Sequence, residues 1–421
     1  MTSLQRGSRR RALALAPLLA AVLAIGSSLG APQAATAAPA AVPGDDATPF
    51  YQPPATLPAA NGDIVRSEPM TWYLDPLKVT RFPGKATRLL YRTTDNDGQP
   101  IAVSGALLVP STTYTGPGAS RPIIGYAAGT QGMADRCAPS RAGGEGTEYE
   151  SLFVSGLLAA GYAVVLTDYQ GLGTPGVHTY MNRRVQGHAV LDSVRAAQRL
   201  PGTGLAPNGP VALAGYSQGG GASAAAAELA GSYAPELDLK GSVSGAVPAD
   251  LAATAKILDG SLYSLFLGYA VNGLAAGYGL DMSQYLNPTG LERLESAKDT
   301  CVTDLLSYSF MTSRDLTKDG RPLTEYFGEE PFRSVLADSR IGTIKPKAPA
   351  LVVHSLADDI IPYSVGKRMA SDWCDRGARV TFHTSLVPTH AGGTVPNFVA
   401  EMAYLDARFR GWAPLTNCWA V

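Results

Sequence analysis

The sequence predicts an α/β protein with a mostly parallel central sheet, flanking helices and a mainly helical cap inserted between two late strands. Three observations lead there. From about Ala86 onward, short apolar runs alternate with segments of helical length, the pattern of parallel βαβ crossovers. One such run passes directly into Gly215-Tyr216-Ser217-Gln218-Gly219 and then into a helix. Between the strands expected at Leu239–Val247 and Ala350–His354 lies a stretch of different texture, first Gly/Tyr/Leu-rich and then Glu/Asp/Lys-rich. A connection that long between two sheet strands reads as an insertion.

Taken in order, residues 1–37 combine Arg6, Arg9, Arg10 and Arg11 with an uncharged Ala/Leu-rich run and Ala35-Thr36-Ala37. That is the layout of a secretory signal cleaved near Ala37, and Ser8-Arg9-Arg10-Arg11 also resembles a twin-arginine export signal. Residues 38–60 are Ala/Pro-rich and read as an exposed linker or arm. Leu89–Thr93 and Ile101–Val109 are expected strands around the turn Asn96-Asp97-Gly98. Pro122–Ala128 reads as a buried strand ending in the loop Gly129-Thr130-Gln131-Gly132. A helix over Tyr149–Ala160, a strand at Tyr162–Leu166, a helix over Gly187–Leu200 and a strand at Val211–Ala214 follow. After the insertion come strands at Ala350–His354 and Val380–His383 and a helix over Val395–Phe409. The expected division is a core of residues 61–248 and 346–421 with a cap of 249–345.

The uncharged stretch Leu262–Leu280, with Gly273 and Gly277 four apart, formally fits a packed transmembrane helix. Its Ser264, Asn272, three tyrosines and four glycines favour an apolar element of the cap instead, so the mature chain is expected to carry no integral span.

Composition excludes several classes. With 45% hydrophobic and 16% charged residues the chain can bury a core, so wholesale disorder is ruled out. A net charge of −1, falling to −5 when the four leader arginines are removed, gives no basic surface for nucleic acid. There is no CxxC, no HExxH and no His/Cys cluster at zinc spacing, so no metal is expected. In an exported chain the four cysteines form two disulfides, in one of three connectivities.

The strand–turn–helix setting of Gly215–Gly219 identifies Ser217 as a candidate nucleophile, exposed on a sharp turn above the sheet. The same pattern at Gly26–Gly30 lies in the leader with no preceding strand and is rejected. A serine hydroxyl needs a base, and the base needs an acid to orient it. His390, in the loop between the last strand and last helix, is the expected base. His383 lies within a strand, and His178 and His188 precede the nucleophile. Asp358, in the loop after His354, is the expected acid, with Asp359 a solvated neighbour. A tetrahedral oxyanion needs two backbone N–H donors, expected from Gln218 and from Gln131.

Together these segments resemble the secretory lipase family of α/β-hydrolases. The likeness rests on Gly129-Thr130 followed by Asp135–Ser140, on Gly215-Tyr216-Ser217, on His354 through Tyr363, and on His390. It implies an α/β-hydrolase core with a helical cap, acyl-ester hydrolysis and no cofactor. It also implies the pairs Cys137–Cys301 and Cys374–Cys418. Gln218 stands where the family tends to have Gly, and Gln131 where an acidic residue is expected; backbone N–H donation survives both changes. The Ala/Gly-rich composition looks bacterial, as of an actinobacterial member. The expected protein is a secreted serine ester hydrolase, taken as a monomer with its oligomeric state open, acting on a lipid or other acyl ester, including at an oil–water interface. The rivals are a carboxylesterase or acyltransferase of the same fold, a secreted serine peptidase, and a non-catalytic binding protein with a hydrolase fold.

Overall fold

The apolar runs between Ile64 and Ser385 pair into a single sheet, nine-stranded among the described residues. The computed structural model describes residues 48–118 and 120–421, so the leader lies outside them. The strands are β1 (Ile64–Met70), β2 (Gly84–Thr94), β3 (Pro100–Pro110), β4 (Ile123–Ala127), β5 (Ala163–Thr167), β6 (Pro210–Tyr216), β7 (Asp238–Gly245), β8 (Ala350–Ser355) and β9 (Val380–Ser385). Their spatial order is β1-β2-β3-β5-β4-β6-β7-β8-β9. β1, β2, β3 and β5 are linked by antiparallel pairings, and the rest of the sheet is parallel.

The helices are α1 (Pro139–Glu145), α2 (Ser151–Ala159), α3 (Arg183–Arg199), α4 (Gln218–Tyr233), α5 (Leu251–Leu258), α6 (Ser264–Tyr278), α7 (Pro288–Ala297), α8 (Phe332–Asp338), α9 (Tyr363–Asp375) and α10 (Thr394–Phe409). The central strands are apolar throughout because both faces are covered. Alternate side chains go to opposite layers. Ile123, Val165 and Leu213 pack with α3 and α4, while Ile124, Val164 and Ala212 pack with residues of α2 and α10. A third cluster joins Ala350, Val352, Val380 and Phe382 to Met369 and Trp373 of α9.

Two segments differ from expectation. β1 carries Arg66, Glu68 and Pro69 with little apolar alternation, and it forms because a sheet edge tolerates charge and a missing N–H. The second difference concerns 48–60, within the stretch expected to be an exposed linker. Phe50 and Tyr51 are buried there, against Leu90, Val65 and Ala102. The Arg66 guanidinium donates to Phe50 O (2.8 Å), and Tyr51 Oη lies 3.0 Å from Ser140 Oγ. Proline-rich composition concealed two aromatic anchors that bury like any core ring.

α5 to α8 lie between β7 and β8. Among the described residues no helix is long and apolar enough to cross a membrane. α6 uses its two spaced glycines differently: a Cβ on Gly273 would fall 2.3 Å from Tyr180 N and O, and one on Gly277 would fall 2.5 Å from Asn182 Nδ2. The small-residue face therefore lets α6 lie directly on the 180–182 backbone. Cys137–Cys301 joins the segment after β4 to the insertion, and Cys374–Cys418 joins α9 to the C-terminal segment.

Candidate active site

Ser217 sits between β6 and α4 with φ 60° and ψ −123°, strained for a residue with a side chain. The turn is possible only because Gly215, Gly219 and Gly220 around it have no Cβ. A Cβ on Gly219 would lie 2.0 Å from Ala127 O, and one on Gly220 would lie 2.0 Å from Gly245 O. The half-buried Ser217 is held by its N–H donating to Gly245 O (3.0 Å) and by its own carbonyl accepting from Gly221 N–H (3.0 Å).

His390, in the β9–α10 loop, lies beside Tyr216, the residue before Ser217. The Tyr216 hydroxyl donates to His390 O (2.7 Å), and the two rings are 5.0 Å apart. His390 Nδ1–H donates to Asp358 Oδ2 (2.8 Å), which leaves the Nε2 lone pair as the ring's basic position. The other carboxylate oxygen of Asp358 accepts the N–H groups of Ile360 (3.0 Å) and Ile361 (2.8 Å). Burial opposes its ionisation. Hydrogen bonds from His354 and His390, the His390 charge and the Ile361 N–H outweigh that, holding the carboxyl well below its usual range. His354 is buried behind it, its Nε2 3.0 Å from Ile361 O and 3.4 Å from Asp358 Oδ2.

Asp359 is more than a solvated neighbour. Its Oδ1 accepts the His390 N–H (2.8 Å) and its Oδ2 accepts the Tyr263 hydroxyl (2.8 Å), so it links the His390 loop to the residue just before α6. The imidazole nonetheless meets Asp358.

The loop after β4 is pinned through both backbone and side chains. Gly129 N–H donates to Glu150 Oε2 (2.7 Å), and Thr130 Oγ1 lies 2.6 Å from Tyr180 Oη. Gln131 Nε2 donates to Glu148 Oε1 (3.2 Å), while Gln131 O accepts the Val302 N–H (2.7 Å). Burial raises the Glu148 carboxyl above its ordinary range, against hydrogen bonds from Glu150, Ser151 and Gln131. Burial, and then the Glu148 charge, push Glu150 well above its ordinary value. On the other side Gln218, at the first position of α4, has no intrahelical acceptor for its backbone N–H.

Ser217 borders a narrow pocket lined mainly by apolar side chains, including Met181, Leu258, Phe266, Leu267 and Ile361. Leu251, Ala255, Leu267 and Ala270 also line a second narrow apolar pocket, between α6 and α8. α6, the stretch weighed as a membrane span, thus turns part of its apolar face toward Ser217. Among the described residues no His/Cys/Asp/Glu group could hold a metal ion.

Sequence pattern assigns no role to Glu148 or Glu150 and no contact to Tyr216, His354 or Asp359. None lies in a motif that assigns it a partner, and each acts through a residue distant in sequence or across a loop.

The family model for secretory lipases matches residues 138–417. A Mycobacterium tuberculosis protein named a probable inactive lipase is 33% identical over 392 residues, 89% of this chain and 84% of that protein. A secreted triacylglycerol lipase of Malassezia furfur is 28% identical over 338 residues, 76% of this chain and 85% of the relative. The crystal structure of Candida antarctica lipase A in its closed state superposes with a TM-score of 0.78 at 24% identity, over 90% of each chain. The rice cell wall degrading esterase LipA of Xanthomonas oryzae gives a TM-score of 0.66 at 21% identity, over 84% of this chain and 97% of that one. At those identities the structural likeness is one of fold, here that of the α/β-hydrolases.

Proposed function

Because this chain belongs to the secretory lipase family, we propose that it is a secreted serine ester hydrolase working through Ser217, His390 and Asp358. The observation that carries the reading is the His390–Asp358 pair, whose Nδ1–H is committed to the carboxylate beside the strained Ser217 turn. His390 Nε2 takes the Ser217 proton as Oγ attacks the ester carbonyl, and Asp358 stabilises the imidazolium. Backbone N–H groups of Gln131 and Gln218 hold the oxyanion. The alcohol leaves with the proton from His390, and a water that His390 then deprotonates releases the acid from the acyl-enzyme. The intact serine, acid and base argue for turnover, although one relative is named as inactive.

The apolar lining of the pocket at Ser217 favours an acyl chain over a peptide, with residues 249–345 acting as a cap over the site. Two disulfides suit an oxidising compartment, and the Malassezia furfur relative is named as secreted.

The test is turnover of p-nitrophenyl esters of increasing chain length and of emulsified triacylglycerol, with Ser217→Ala alongside. The variant should lose at least about 10⁴-fold in kcat. Wild-type turnover in Ser217→Ala would sink the mechanism, and activity confined to short soluble esters would make the protein a carboxylesterase.

A further inference from the structure

The side chain of Gln218 adjoins the reacting serine where a residue without a side chain would serve the backbone equally well. It is long, polar and only 1% exposed. Both of its amide N–H bonds are used. Nε2 lies 3.0 Å from His178 Nε2 and 2.9 Å from Gln186 Oε1. Gln186 is on α3, and its own Nε2 reaches back toward Asn182 O at 3.5 Å.

This arrangement dictates the state of His178. Gln218 Nε2 can only donate, so His178 Nε2 must accept, and the ring must be neutral with its proton on Nδ1. Nδ1 lies 3.0 Å from Gln170 O, an obligate acceptor, which requires the same tautomer. The Tyr169 and Tyr180 rings pack against the imidazole at centroid distances of 5.9 and 5.8 Å. No charged side chain contributes to its titration, and burial lowers it to about 4. His178 is therefore a fixed acceptor at neutral pH.

Resting on the function proposed above, we propose that His178, together with Gln186, is a positioning residue that anchors the Gln218 side chain. The anchor has two effects. It restrains the first residue of α4, whose backbone N–H is the proposed oxyanion donor, against rotation at the strained turn. It also keeps a flexible amide out of the apolar pocket that Ser217 borders. With either acceptor removed, a buried N–H loses its partner, and the Gln218 side chain is free to swing toward the acyl volume.

The experiment is a double-mutant cycle on the full secreted chain, with His178→Phe and Gln218→Ala singly and together, reading kcat and KM on a short p-nitrophenyl ester. His178→Phe keeps a ring against Tyr169 and Tyr180 but removes the acceptor. It should lower kcat about tenfold, less than the roughly 100-fold cost of losing a whole oxyanion donor, with KM little changed. In the Gln218→Ala background the same change should have no further effect, and His178→Gln, which restores an acceptor, should recover most of the rate. Equal losses with and without the Gln218 side chain would make His178 merely structural and overturn the proposal.

If His178→Phe does not fold, Gln186→Met replaces it in the cycle with the same expectations. Independently of activity, ¹⁵N spectra of the His178 ring should show the Nδ1–H tautomer persisting to pH 5; an Nε2–H tautomer overturns the anchor. Should the wild-type chain turn over no ester, the functional reading fails, whereas additive losses in an active, Ser217-dependent enzyme refute only the anchor.

Discussion

Asp358→Asn tests the proposed triad most sharply, because the surrounding backbone decides how an amide would sit. One carboxylate oxygen receives two N–H bonds, from Ile360 at 3.0 Å and Ile361 at 2.8 Å. An asparagine must place its oxygen there, since an NH₂ would face two donors. Its Nδ2 is then directed at His390 Nδ1, 2.8 Å away in the native protein. A donor at that point makes Nδ1 the acceptor and moves the ring proton to Nε2, so the base loses the lone pair that would receive the Ser217 proton. The loss expected for a wrong tautomer in a serine–histidine–aspartate triad is about 10⁴-fold in kcat, or about 5 kcal/mol. KM and fold should be retained, because the side chain is isosteric and keeps both backbone bonds. Asp359→Asn is the comparator. Its oxygen can keep the His390 N–H, and the Tyr263 hydroxyl can turn to accept from the new amide. That variant should stay within about tenfold of wild type. Initial rates on p-nitrophenyl butyrate, with circular dichroism to check folding, decide the matter. The reasoning is refuted if Asp358→Asn stays within tenfold of wild type or if Asp359→Asn is the more damaging change.

Two stability predictions follow from buried groups near the sheet. Burial raises the Glu401 carboxyl from its ordinary 4.5 to about 8, with only a partial offset from Asn397. Its contribution is therefore fully present below about pH 4.5 and is lost as pH rises through about 8, at about 1.4 kcal/mol per pH unit. Glu401→Gln should match the wild-type Tm at pH 4.5 and exceed it at pH 9, and an equal difference at both pH values contradicts the assignment. Gly219→Ala places a methyl 2.0 Å from Ala127 O, in the backbone of a central strand that cannot yield cheaply. It should cost about 3 kcal/mol or more and abolish activity, so a soluble variant with wild-type Tm and turnover disproves the close-approach account.

The legible parts of this protein were those in which neighbours along the chain determine the outcome. Ile123-Ile124, Val164-Val165 and Ala212-Leu213 announce strands buried on both faces, and the structure divides each pair between the two helical layers. Gly215 to Gly220 announce a turn of close backbone approach, because the requirement for no Cβ is local. β1 was not legible, since an edge strand needs neither continuous apolarity nor a full set of donors. Phe50 and Tyr51 were hidden in a proline-rich stretch, because what buries them is a surface made by β1, β2 and β3.

At the site, the sequence by itself determined that a serine would sit at a strand–turn–helix junction and that one histidine and a pair of aspartates would follow at strand ends. Sequence pattern favoured Asp358 over its neighbour Asp359, but only the tertiary structure supplied the contacts, with Asp358 Oδ2 2.8 Å from His390 Nδ1 and Asp359 Oδ1 on the His390 backbone N–H. Only it brought His178 and Gln186 to the Gln218 side chain from 40 and 32 residues away. Local pattern specifies backbone conformation through sterics and burial. Which polar atoms meet is a question of three-dimensional distance, and hydrogen bonds reaching about 3 Å leave no periodic trace in the sequence.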